Sequence, residues 1–149
     1  MTKEEKKKIT TTAPMTLKEK QFLFMRLLPK LINKAHELGF ELTGGDLWSK
    51  PECKSHKANS NHYIRLAIDL NLFRNGIYLT STEDHRPLGE YWESLHPLCR
   101  WGGRFQDGNH YSIEHDGRME GGIVNLLESL ASGGVGALVN GIGTLAKNI

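Results

Sequence analysis

The chain has 149 residues, 38% apolar and 24% charged, with 19 Lys plus Arg against 17 Asp plus Glu. This fits one globular domain with a real core and excludes a collagen-like, wholly disordered or disulfide-stapled chain. The net charge of +2 is too close to balance to point to a nucleic-acid partner, and none is expected.

Residues 1–14 are charged, then Thr-rich, and end in Pro14; they read as a flexible basic arm. MTKEEKKK is followed by ITTTAP rather than an apolar stretch, so no signal peptide is expected there. Thr16-Leu17-Lys18-Glu19 is a capping box, and Phe22, Met25, Leu28, Leu31, Ile32, Ala35 and Leu38 follow at helical spacing. Pro29 should kink or split this helix, and Gly39 should stop it. Phe40–Thr43 alternates like a strand, Gly44-Gly45 opens a loop, and 46–61 is a polar loop of the kind that carries sites.

Leu66, Ile68, Leu70 and Leu72 alternate with Ala67, Asp69 and Asn71, giving a strand with one greasy and one small or polar face. Asn75-Gly76 predicts a tight hairpin into Ile77–Thr80. Pro87 to Leu95 suits a short helix stopped by Pro97. Trp101-Gly102-Gly103-Arg104-Phe105 and Asp107-Gly108-Asn109 are turn-rich, and His110–Glu114 alternates as a last strand. The predicted class is α+β: an N-terminal helix packed on a small antiparallel sheet that carries the site. Residues 120–149 change character, with seven glycines and an uncharged run of 18 residues at 129–146. They read as a Gly-rich apolar tail, with inner-membrane contact as a candidate role.

Three places carry candidate chemistry. His62 precedes the first hairpin strand, Asp69 sits on that strand's polar face, and Asp107 and His110 form D-x-x-H at the start of the last strand. Two imidazoles and a carboxylate suit a catalytic zinc that keeps one position open for water. Ser60 is expected to orient the loop carrying His62, and Glu114 to share a strand face with His110. Cys53 and Cys99 match no metal or redox spacing and read as free thiols.

Ser60-Asn61-His62-Tyr63-Ile64-Arg65-Leu66-Ala67-Ile68-Asp69 follows the pattern S-x-H-x-x-G-x-A-x-D, then W-G-G-x-F at 101–105 and [DE]-x-x-H at 107–110. The sequence here resembles the zinc peptidases of bacterial cell-wall peptides: D-alanyl-D-alanine carboxypeptidases, D,D-dipeptidases and phage L-alanyl-D-glutamate endopeptidases. LAIDLNLF (66–73) and TEDHRPLGEYW (82–92) look most like the small phage endolysins of this group. The resemblance spans about residues 16–115 within an expected peptidase domain of 15–119. It implies one Zn2+ per chain held by His62, Asp69 and His110, with Asp107 as general base. Asp rather than Glu at 107 implies an endopeptidase of the L-Ala–D-Glu bond in the peptidoglycan stem peptide. The alternatives are a D,D-carboxypeptidase or dipeptidase, and a non-catalytic cell-wall-binding virion module on the same fold.

Two positions depart from the pattern. Arg65 stands where it has Gly, which suggests a different backbone conformation or a role in binding acidic substrate. Ser49 stands where an Arg is expected in the loop before the first ligand, which leaves Lys50 or Lys54 as substitutes and His56 as a further substrate contact. A monomer is expected, held in the host cytoplasm before lysis and acting on the periplasmic wall.

Overall fold

The computed structural model describes residues 13–118. Helix α1, Leu17–Glu37, begins at the expected capping box. The Thr16 hydroxyl accepts from the Glu19 amide at 3.2 Å, and the Glu19 carboxylate accepts from the Thr16 amide at 2.7 Å. Pro29 does not split α1. It is exposed, while Phe24, Leu27, Leu28, Leu31 and Ala35 are buried on the other side. An interior proline costs roughly 3 kcal/mol. Burying four large apolar side chains at about 1.5–3 kcal/mol each outweighs it. Gly39, at φ +84°, turns the chain out of the helix region.

The strands are β1 (Glu41–Gly44), β2 (Ala67–Arg74), β3 (Ile77–Leu79), β4 (Cys99–Trp101) and β5 (His110–Ile113). They form an antiparallel sheet of order β1-β2-β5-β4, with β3 paired to the distal half of β2. Asn75 and Gly76, both at positive φ, make the β2–β3 turn. Leu66, Ile68, Leu70 and Leu72 enter the core, as their alternation predicts. All four residues of β5 are buried, because β5 lies between β2 and β4 with the core on one face and the site on the other.

Helix α2 runs Thr82–Leu95, five residues earlier than the start read at Pro87. Ser81 and Asp84 form a second capping box, and Pro87 sits inside the helix. The overlooked signal is S-x-x-D, which opens a helix as Ser or Thr with Glu does. Trp92 of α2 meets Phe24 of α1 edge-on at 5.9 Å and donates to the Ser112 carbonyl at 3.0 Å. The two helices and the inner sheet face thus share one core, an α+β arrangement.

Candidate metal centre

Three segments deliver the site. A single helical turn, Asn61–Ile64, carries His62. Ser60 caps it, its hydroxyl accepting from the His62 amide at 3.2 Å, and the Asn61 side chain donates to the Ile113 carbonyl, tying the turn to β5. The second segment is β2, where Asp69 pairs directly with His110 across the β2–β5 ladder. The third is the turn after Trp101, where the Gly102 carbonyl accepts from the Asp107 amide at 3.1 Å and the Asp107 carbonyl from the His110 amide at 3.2 Å. A Cβ on Gly102 would overlap the Asp107 carbonyl, so this tight return needs glycine.

One oxygen, Asp69 Oδ1, lies 3.1 Å from His62 Nε2 and 3.4 Å from His110 Nδ1. Neighbouring ligand atoms of a tetrahedral zinc with bonds near 2.1 Å stand about 3.4 Å apart, so each of these two separations from the Asp69 oxygen suits an ion, while the group whose ligand atoms all lie within 4.8 Å of one another is His56, His62 and Asp69. His62 Nδ1 and His110 Nε2, the ring nitrogens on the far sides, are buried and have no hydrogen-bond partner among the described residues. Burial opposes charge on Asp69, but hydrogen bonds from His110 and His62 prevail and hold its carboxyl well below the usual carboxylate range. It is anionic at neutral pH, as a metal ligand would need to be.

A further imidazole joins them. His56 stacks on His62 with ring centroids 4.0 Å apart, and His56, His62 and Asp69 each offer an atom within 4.8 Å of the others. The His56 ring is also 3.0 Å from the Asp46 carboxylate. The Tyr63 hydroxyl fixes the His56 backbone, accepting from its amide at 3.0 Å and donating to its carbonyl at 2.7 Å. Asp46 in turn accepts the Asp69 amide through its own carbonyl at 2.9 Å.

These groups open on a cleft of about 410 Å3. Asp107 stands at its mouth, half exposed, with its carboxylate 4.0 Å from His110 Nδ1. Lys57, Phe105 and Asn109 also line it and were not singled out from the sequence. Asn109 had a signal, lying within the D-x-x-H turn; Lys57 is one polar residue in a polar loop.

Several sequence expectations are corrected. Glu114 does not face the site: it lies past the end of β5, its carboxylate is 3.8 Å from Lys20 Nζ on α1, and it accepts from the Gly117 amide at 2.8 Å. Lys50 is exposed and does not line the cleft, and Lys54 lines a neighbouring pocket instead. Arg65 stays outside as well, its guanidinium 4.5 Å above the Trp48 ring. Its φ of +59° is the left-handed conformation glycine adopts easily, so the backbone there is one that the pattern's glycine would favour, not a different one.

A sequence family described as D-alanyl-D-alanine carboxypeptidase matches residues 54–113, a stretch that contains His56, His62, Asp69, Asp107 and His110. No curated protein and no solved structure matches the chain. Fold, site and match together define a class: a metallopeptidase, hydrolysing peptide bonds with zinc as its cofactor. Within that class, this chain is similar over the matched residues to the D-alanyl-D-alanine carboxypeptidases.

Proposed function

We propose that this protein is a peptidoglycan endopeptidase of the phage-lysis kind, cutting the L-Ala–D-Glu bond of the stem peptide, with zinc held by His62, Asp69 and His110. The observation that carries the reading is the convergence of His62 Nε2 and His110 Nδ1 on one Asp69 oxygen, beside Asp107 at the mouth of a cleft. His56, which also approaches His62 and Asp69, is held by Asp46 and is assigned to the cleft wall.

Zinc at such a site supplies Lewis acidity, lowering the pKa of a coordinated water to about 7. The chain's own residues do the rest. Asp107, free to reach the cleft, takes the proton of the attacking water and returns it to the leaving amine. Lys57 and Asn109 are cleft donors for the scissile carbonyl oxygen as it gains charge. Asp69 keeps the ligand set anionic, and the Ser60 hydroxyl holds the turn that presents His62. The choice of the L-Ala–D-Glu bond rests on Asp at 107 and on the endolysin-like stretches 66–73 and 82–92. The lysis setting places the enzyme in the host cytoplasm before it reaches the wall.

A second reading, D,D-carboxypeptidase, is favoured by the description of the matched family. Peptide release from purified peptidoglycan separates the two. New L-Ala carboxyl and D-Glu amino termini, abolished by a chelator and restored by zinc, support the first; free D-Ala supports the second. No release by zinc-loaded protein overturns both.

A further inference from the structure

Beside the metal cleft lies a second pocket of about 600 Å3, and His56 belongs to the walls of both. Its other walls include Lys54, Arg118, Tyr63 and Ile64, and among the described residues no Asp or Glu lines it. The metal cleft contains two carboxylates, Asp69 and Asp107, beside one cation, Lys57. Among the described residues neither Lys54 nor Arg118 forms an ion pair. Arg118 Nε donates to the Asn59 carbonyl at 3.3 Å, which leaves its terminal nitrogens for a ligand. The chain holds Lys54 at φ 49° and Asn59 at φ 63°, so both lining residues sit in left-handed backbone that costs each of them energy. The shared wall is fixed, because Tyr63 clamps the His56 backbone and Asp46 holds its ring.

We propose that this pocket is a subsite for a carboxylate of the substrate peptide, placed next to the scissile bond. The inference rests on the peptidase reading above and adds to it a determinant of specificity. Electrostatics sets the direction: Lys54 and Arg118 give this pocket a basic wall that draws an anionic group. An Arg fork binds a carboxylate through two parallel hydrogen bonds, and Lys adds a point charge. The stem peptide offers such a group. Its chain continues through the γ-carboxyl of D-Glu, which leaves the α-carboxylate of that residue free beside the bond to be cut.

The test uses the zinc-loaded full chain and two synthetic peptides, L-Ala–γ-D-Glu–L-Lys with a free α-carboxylate on D-Glu and the same peptide with an α-carboxamide. The expected result is a KM about tenfold lower for the acid than for the amide, as loss of one charge-assisted contact implies. In Lys54→Gln/Arg118→Gln that ratio falls to near one, through a rise in KM for the acid. Equal KM values in the wild-type protein overturn the subsite, and so does a preference that survives the double substitution. Failure to cut either peptide overturns the L-Ala–D-Glu endopeptidase reading on which the subsite rests, which is a distinguishable outcome. The wild-type comparison stands even if the double variant does not fold.

Discussion

Asp107, proposed as the base, and the proposed metal ligands make separable demands on the site. Asp107 is half exposed and 4.0 Å from His110 Nδ1, so its carboxylate can be replaced without moving the ligands. Asp107→Asn is expected to keep the metal and lose about 10²–10⁴ in kcat, the usual worth of a positioned acid or base. His62→Ala is expected to lose the metal itself. Zinc content measured beside peptide release distinguishes them; full activity in Asp107→Asn would remove Asp107 from the chemistry. Arg65 is a second residue-scale case. Its left-handed φ costs about 1–2 kcal/mol, set against the cation–π contact with Trp48 at about 0.5–1 kcal/mol and the greater unfolded freedom of glycine. These offset, so Arg65→Gly should leave stability within about 1 kcal/mol, and a denaturant midpoint shifted by more would contradict that account. The thiols differ by burial. Cys53 is exposed, while burial pushes the Cys99 thiol up to about 12. A thiol reagent at pH 8 should label Cys53 in the folded protein and reach Cys99 only after denaturation.

At the scale of elements, the Trp-Gly-Gly stretch gains a physical reason. The Trp101 ring lies in a slot between Gly89 of α2 and Gly103, and a Cβ on either would overlap it. Its indole donates to the Gly108 carbonyl at 2.7 Å, which ties β4 to the turn that presents Asp107 and His110. Gly89→Ala therefore sets two effects against each other. Helix propensity favours alanine by about 1 kcal/mol. Overpacking a rigid ring costs roughly 1–3 kcal/mol, and no flexible side chain is there to yield. The steric effect wins: the variant should melt lower, and a higher melting temperature would refute the slot. The strands and the first helix were readable because their patterns are local: alternation in 66–72, Asn75-Gly76, and the Thr16 capping box. The start of α2 was misread because Pro87 looked like a beginning, while the cap that starts the helix stands at Ser81. The intact α1 was misread because a proline's local cost is visible in sequence and the burial opposing it is not.

For the whole molecule, the candidate ligands come from a turn and two strands, so a bound metal cross-links segments far apart in the chain. Metal that binds only the folded protein stabilises it by mass action. A chelator should thus lower the melting temperature as well as stop hydrolysis, and an unchanged melting curve would argue against a metal at His62, Asp69 and His110. Acid acts through a different residue. His85 is buried with its Nδ1 2.9 Å from the Tyr111 hydroxyl, and burial lowers its pKa, although Asp84 and Asp107 pull the other way. The unfolded chain takes up that proton near pH 6.5 while the folded chain resists it. The stabilisation is present above about pH 6.5 and is lost as pH falls through the folded value. In chelator, the melting temperature should fall from pH 7.5 to 5.5, less steeply in His85→Gln. His62, Asp69, Asp107 and His110 stood out as candidates because their types and spacing are visible in one dimension, whereas His56, which the structure groups with His62 and Asp69, was read only as a substrate contact. The second-pocket cations, the Asp46–His56 pair and the diversion of Glu114 to Lys20 were not, since each depends on which loops fold against which. The expected basic arm and the 120–149 tail lie outside the described residues, apart from Ala13 and Pro14 at the arm's end. Among the described residues no helix is long and apolar enough to cross a membrane. A chain ending at Arg118 that lyses cells as well as the full chain would deny the tail a membrane role.

Strand β2 alternates between two duties, sending Ile68 and Leu70 inward and Asp69, between them, toward the cleft. A slip of one residue against β5 would exchange these faces, driving a carboxylate into the apolar interior and a leucine into the cleft. The protein accordingly has no halfway arrangement in which the ladder is misregistered and the enzyme merely slower. Whatever loosens that pairing should extinguish hydrolysis and cooperative melting at the same dose, so that inactivation of a population counts molecules lost rather than molecules impaired.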